Sequence, residues 1–585
     1  MKLYKIIQPA KGKTENSFRI NLILVTKFAA MRNLFLTGIV SFFTIVSCKP
    51  RSFADRIYMN AKIWTGDSAN PEARAIAVKD SLIIYVGNDY QSFIGAQTEI
   101  KNLQGHMLVP GFIDNHVHFL EGGYFLANIN LRAVKSKSDF ISVFRHFSDS
   151  LTGNGWIKGG NWDHEAWGGQ LPSKEWIDSI SAAHPVFLSR YDGHMGLANS
   201  IALKRAGITK ETPNPSGGEI LKDPKTGEPT GILRDAATSL ISNVIPDPTE
   251  NELDDALQRA ANHALAHGLT QVHDMNSYGG WIDMATYRRA ESAGRLPVRI
   301  YSFVAIRTWQ KLDSFIKKNG WGDDLLHWGG LKGFVDGSLG STTAWFYKPY
   351  LDAPNSTGLQ VTDTTLLRKW ILAADSAGLH IATHAIGDHA NNWILNVYEE
   401  AEKQRPMKDH RFRVEHAQHL TEEDISRFAK LGVVPSMQPY HAIDDGKWAA
   451  KRLDSTRLLG TYVFKSLLAS GAPLTFGSDW TVAPLDPIAG IYAAVTRRTL
   501  DDKNPGGWYP EQKISVDQAL RCYTVNNAWA GFLENKTGRL KAGMLADFTV
   551  LSEDLFSIAP ENIRDTKILL TVVNGKEAYF NPVKP

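Results

Sequence analysis

His116 and His118 stand two residues apart in PGFIDNHVHFLEGG, which runs from Pro110 to Gly123. In an extended strand alternate side chains face one side, so both imidazoles can share a divalent cation. Paired histidines also occur on plain surfaces and in cores, so the remainder of the chain decides. Three further motifs put metal-type donors at the ends of apolar runs: THAIGD carries His384, RVEHAQ carries His416 and TFGSDW carries Asp479. Neutral imidazole and carboxylate together suit zinc, iron, cobalt or manganese. These five donors do chemistry only if a fold gathers them in one place.

The pattern between them predicts such a fold. Apolar runs read as strands at Met107–Asp114, Thr270–Asp274, Arg299–Ile306, Leu331–Asp336, His380–His384, Phe412–His416, Val433–Gln438 and Leu474–Ser478. Helical spacing separates most of them, at Glu250–His267, Trp281–Ala293, Thr365–Ala377, Glu422–Lys430 and Ser455–Ser470. Strands alternating with helices in this number make an α/β chain, a (β/α)8 TIM barrel. A doubly wound sheet has the same alternation. The barrel is favoured because nearly every strand ends in His, Asp, Glu or Lys, and barrel sites lie at strand C-termini. Residues 120–249 are too long for one connection and read as a large insertion within a barrel of residues 107–534. Short β-rich runs at Ile57–Leu103, Ala546–Ser552 and Ile568–Phe580 predict a small β-sandwich built from both chain ends, residues 53–106 and 535–582.

Composition narrows the function classes. The chain has 585 residues, with 64 Lys+Arg against 61 Asp+Glu, a formal net charge of +3. So even a balance gives no electrostatic case for nucleic acid. The two cysteines, Cys48 and Cys522, exclude a disulfide framework. Asn33–Ser47 is uncharged, with basic residues on both sides, and is shorter than a membrane span. Residues 1–47 therefore read as a cleaved secretory signal. The run Ile45-Val46-Ser47-Cys48 resembles a bacterial lipoprotein box, which implies lipidation at Cys48 and an exported protein that meets the membrane only through its lipid anchor.

Taken in order, PGFIDNHVH, GGNWDHEAW, SRYDGHMGLANSIAL, GEPTGILRDAA, LKGFVDGSLGSTTA, THAIGDHAN, RVEHAQ, TFGSDW and GRLKAGMLADFTVL resemble the amidohydrolase superfamily, specifically its amidohydrolase-3 branch of YtcJ-like metal-dependent hydrolases. The resemblance spans about Ile57 to Phe580 and implies a TIM barrel with a β-sandwich from both ends. It implies a first divalent metal, zinc above others, on His116, His118 and Asp479, and a second on His384 and His416. Lys332 matches a lysine that carbon dioxide can carboxylate to bridge two metals. Many relatives carry arginine where this chain has Thr342, which puts inherited substrate preference in doubt.

The function this implies is hydrolysis of an amide or cyclic amide in a small molecule by metal-activated water. Asp479 is then both ligand and proton carrier. Deamination or ester hydrolysis would use the same residues, and a non-catalytic binding lipoprotein is the reading from another class. Asp163 and His194, within the insertion, are candidates for substrate contact. Asp336 reads as ordering the Gly-rich stretch after Lys332, and His273 is unassigned. Trp156, Trp162, Trp167 and Trp176, concentrated in the insertion, slightly favour an apolar or aromatic substrate, although buried packing is the commoner use of such residues.

Overall fold

The computed structural model describes residues 53–151, 153–181, 183–190, 195–215, 218–275 and 280–581. The expected signal region and Cys48 lie outside these residues. Among them, no helix is long and apolar enough to cross a membrane.

Eight parallel strands form the barrel: Phe112–Val117, Leu269–Asp274, Arg299–Ala305, Leu326–Phe334, His380–Ala385, Arg413–His416, Val434–Met437 and Thr475–Phe476, hydrogen-bonded in that order. Nearly all their residues are buried, as expected for parallel strands covered by helices. The covering helices are amphipathic. Glu250–Ala266 opens with a capping box in which Thr249 and Glu252 satisfy each other's backbone N–H groups, and it packs Leu253, Leu257, Ala261 and Leu265 into the barrel's outer core.

The ring closes between its first and last strands without a regular ladder. A single bridge joins Val117 to Trp480. Beside it, the Asp479 N–H donates to the His116 carbonyl and the His118 N–H to the Trp480 carbonyl, both at 2.7 Å. Side chains complete the seam. Asn527 donates to the carbonyls of Ile113 and Phe476 at 2.5 and 2.7 Å, and the buried Asp114 carboxylate accepts from the N–H groups of His116 and Ser478.

Two smaller layers attach to this barrel. The chain ends form one eight-stranded sheet that includes Arg56–Trp64, Glu72–Lys79, Phe548–Leu551 and Ile568–Val573, around a core containing Tyr58, Ile76, Phe548 and Val572. It is fastened to the barrel by a buried ion pair in which Arg299 Nε donates to Asp547 at 2.5 Å. The insertion folds as a six-stranded sheet with its own core, where Phe140, Trp162, Trp176 and Leu188 pack together. Trp162 and Trp176 are thus core residues, as the packing alternative expected.

Three expected elements differ in detail. The run Met107–Asp114 divides at Gly111: Met107–Pro110 pairs within the end-built sheet, and the barrel strand begins at Phe112. A Cβ on Gly111 would lie 2.2 Å from the Thr270 side chain, so the chain crosses between layers where no side chain fits. Ser455–Ser470 is two helices, Ser455–Leu459 and Phe464–Ser470. The break falls where the Leu420 N–H donates to the Gly460 carbonyl and the Tyr462 N–H to that of Gln418. Leu474–Ser478 keeps strand geometry only at Thr475–Phe476, because the chain turns at Asp479.

Gly477 tests the seam. A Cβ there would stand 2.6 Å from the His116 nitrogen and 2.6 Å from Asn115 Oδ1. Gly477→Ala should destabilise the protein by about 1–3 kcal/mol, as overpacking does. Thermal unfolding will show a lower Tm, and metal analysis a lower metal content.

Candidate metal centre

The C-terminal ends of the barrel strands line a cavity of about 590 Å³. All six ligand candidates, His116, His118, Lys332, His384, His416 and Asp479, are on its wall. His116 is the inward residue near the end of the first strand, and His118 follows just beyond it at the start of the helix Phe119–Ala127. Lys332 and His384 lie on neighbouring strands, fourth and fifth in the ring, where Lys332 is paired with Ala382 and His384 with Phe334. His416 and Asp479 reach the cavity differently. Their φ angles are +74° and +59°, a left-handed backbone that costs an L-residue about 1–2 kcal/mol. At His416 this turn breaks the alternation that would otherwise send its side chain outward with Val414.

Ring centroids of His116 and His416 are 4.9 Å apart, and those of His384 and His416 are 4.5 Å apart. Asp479 Oδ1 lies 3.5 Å from His116 Nε2 and 3.3 Å from His118 Nε2. One donor atom each from His116, His416 and Asp479 fall within 4.8 Å of one another, all three buried. Two imidazoles and a carboxylate so gathered suit a divalent ion of the borderline type.

The ring nitrogens are sorted for that task. His116 Nδ1 is held at 2.5 Å by Glu415 Oε2 and His416 Nδ1 at 2.8 Å by Gln438 Oε1, which leaves each Nε2 to the cavity. His384 Nε2 meets the Gly337 carbonyl at 3.0 Å, so that ring has Nδ1 for a metal. A carboxylate behind a ligand histidine fixes its tautomer and raises its basicity. Burial, with Lys332 nearby, lowers His116 to about 4 and His384 to about 3, so both are neutral and able to ligate. Burial works against the Asp479 charge, yet the surrounding His116, His118 and His416 hold its carboxyl well below the usual range. Lys332 Nζ stands 3.3 Å from His116 Nε2 and is only 2% exposed.

The structure adds residues that motif reading passed over. Glu415 and Arg413 are fully buried and paired at 2.7 Å inside the barrel, and Arg413 also donates to the Asn115 carbonyl at 2.6 Å. His273 is buried beside them, its Nδ1 3.0 Å from Arg413 Nη1. Strand alternation puts Arg413 and Glu415 on one face, and that was the available signal, obscured by the more conspicuous His416 between motif and loop. Asp336 binds three backbone N–H groups, of Trp345, Ile386 and Gly387, and so ties the loop after Lys332 to the one after His384.

Asp163 is not on the cavity wall. Its carboxylate caps the short helix His164–Trp167 and pairs with Arg190 at 3.0 Å, because the insertion uses it to order its own loop. His194 lies outside the described residues. Thr342, whose hydroxyl accepts from Arg452, sits in the loop that contributes Ser338, Leu339 and Gly340 to the wall.

A sequence model of the amidohydrolase family matches residues 99–579. Curated relatives include Protein LONG AFTER FAR-RED 3 of Arabidopsis thaliana, 41% identical, covering 90% of this chain and 92% of its own. The putative amidohydrolase YtcJ of Bacillus subtilis is 32% identical over 89% of this chain and 99% of its own. An N-substituted formamide deformylase of Arthrobacter pascens is 27% identical, over 90% and 98%. Among solved structures, an uncharacterized metal-dependent hydrolase from Pyrococcus horikoshii superimposes with a TM-score of 0.72 at 28% identity, covering 86% of this chain and 99% of that one.

Glu415→Gln keeps the shape but removes the charge that faces both Arg413 and His116. Metal affinity measured by titration calorimetry should fall about 10–100-fold. The Tm should fall too, since Arg413 is left as a buried charge without its partner.

Proposed function

The chain belongs to the amidohydrolase family, and from that footing we propose that it hydrolyses a carbon–nitrogen bond, an amide or cyclic amide, in a small molecule with an apolar substituent. The observation that carries this reading is the composition of one cavity. Its floor is His116, His118, His384, His416, Lys332 and Asp479, and its wall includes Phe334, Leu339, Ile386 and Trp448. Val361 and Val482 continue that apolar surface outward, 52% and 72% exposed. Such a surface gains by covering an alkyl or aryl group. The formamide deformylase among the relatives supports the bond type.

The six floor residues would hold one or two divalent ions, zinc for preference. A metal bound there supplies Lewis acidity that makes water a nucleophile near neutral pH and polarises a carbonyl. The chain's own groups then have defined tasks. Asp479 Oδ1 is directed at His116 and His118, which leaves Oδ2 to accept a proton from the attacking water and return it to the leaving nitrogen. Glu415 keeps the His116 tautomer constant throughout. Lys332 is proposed to carry a carbamate. Its neutral amine bonds to the carbon of carbon dioxide, one C=O π pair moves to oxygen, and one N–H proton leaves to solvent. The carbamate's two oxygens, sharing one negative charge, then stand where an ammonium would repel cations on the neighbouring histidines.

The test is a turnover panel of N-substituted formamides, N-acyl amines, lactams and hydantoins, with esters and aminopurines beside them. Amide or cyclic-amide turnover is expected. It should be abolished by a chelator and restored by a divalent cation, whereas turnover confined to esters or aminopurines would refute the bond assignment. Asp479→Asn should lower kcat at least about 100-fold, the scale of a lost general acid–base group. Lys332→Ala should lose activity that short carboxylic acids partly restore.

A further inference from the structure

We propose that His441 is a positioning residue for Asp479, holding the Oδ2 that carries the proton. The inference deepens the amide-hydrolase reading and rests on it. His441 lies on the short helix Pro439–Asp445, which follows the seventh barrel strand and forms one wall of the cavity. Its Nε2 is buried without a hydrogen-bond partner among the described residues. Among the described residues, the carboxylate oxygen it faces is Asp479 Oδ2 at 3.9 Å, just beyond bonding distance. Its ring is parallel to that of His416, inclined by 11° with centroids 6.4 Å apart, so it lines the same face of the site from one layer further out. An orphaned buried nitrogen loses its hydration with nothing in return, and a closing movement of under 1 Å onto Oδ2 removes that penalty.

The helix is built to keep this nitrogen in place. Gln438, immediately before it, orients His416 through Nδ1. One turn beyond His441, Asp445 Oδ2 accepts from both Gln418 Nε2 and Tyr462 OH at 2.7 Å, which pins the helix to the loops behind it. One eight-residue stretch therefore supports two of the metal-site side chains from behind. Since Asp479 Oδ1 faces His116 and His118, a donor at Oδ2 fixes the remaining rotation of the carboxylate. Proton acceptance from water and delivery to the leaving nitrogen then occur along one direction. His441 keeps its own proton throughout; the transferred proton passes only from water to Oδ2 to nitrogen.

His441→Phe and His441→Gln, made in the full chain and loaded with zinc, test the assignment. His441→Phe should lower kcat about 10–100-fold, the usual effect of removing a partner behind a site residue, with KM and zinc content near wild type. His441→Gln, which retains a donor amide, should recover most of kcat. Wild-type kcat in His441→Phe overturns the proposal. Loss of zinc in step with activity also overturns it, because His441 would then be a ligand or a packing residue. Failure of the wild type to hydrolyse any amide refutes the bond assignment instead. In that event the crystal structure of the zinc-loaded wild type decides on His441: Nε2 within about 3.2 Å of Asp479 Oδ2 upholds the positioning role, and Nε2 bonded elsewhere ends it.

Discussion

The meeting of the first and last barrel strands is the constraint on which the rest depends. A regular ladder there would need two long strands in register, and Thr475–Phe476 is only two residues long. Closure relies instead on two backbone hydrogen bonds at 2.7 Å, the Asp114 carboxylate and the Asn527 amide. Those two backbone bonds join Asp479 to His116 and Trp480, the next residue, to His118. The residues that close the barrel are therefore the residues that would bind the first metal. Their mutual distance is set by main-chain geometry rather than by flexible side chains, which is how a site holds donors to a fraction of an ångström.

Electrostatics within the barrel follows from the same closure. Shutting the ring excludes water from Arg413, Glu415, His273 and the inner side of His116. A buried guanidinium–carboxylate pair is a weak source of net stability, since desolvation offsets most of the attraction. Its value here is directional. Arg413 holds Glu415 ionised despite its burial, and Glu415 in turn fixes which His116 nitrogen faces the cavity. Left-handed backbone at His416 and Asp479 is local strain of the kind that persists where surroundings over-determine a conformation. Here the surroundings are the Gln438 amide and the seam itself.

Much of this was legible in the sequence, for physical reasons. Buried parallel strands read as short apolar runs, and strand C-termini carry the polar residues, so the barrel and the gathering of His116, His118, His384, His416 and Asp479 around one cavity follow from local pattern joined to family resemblance. Where a strand stops is less legible. Gly111 divides a continuous apolar run because Thr270 on the adjacent barrel strand, not its own sequence, forbids a side chain. Glu415 and Arg413 were passed over because two opposite charges two residues apart on one strand show their pairing only once the barrel has buried that face, and His416 beside them offered the plainer metal-type donor. Asp163 shows the converse: an acidic residue in a motif-like loop was taken up by the neighbouring Arg190, a pairing that depends on how the insertion folds.

If the barrel seam assembles a divalent-metal site as proposed, zinc must sit among its histidines and Asp479. Anomalous diffraction at the zinc edge from crystals of zinc-loaded protein addresses it most directly. A peak is expected about 2.0–2.2 Å from His116 Nε2 and from Asp479, with His118 beside it and any second peak between His384 and His416. A protein that takes up zinc with no anomalous density among these residues, or with zinc bound at another place, would contradict it.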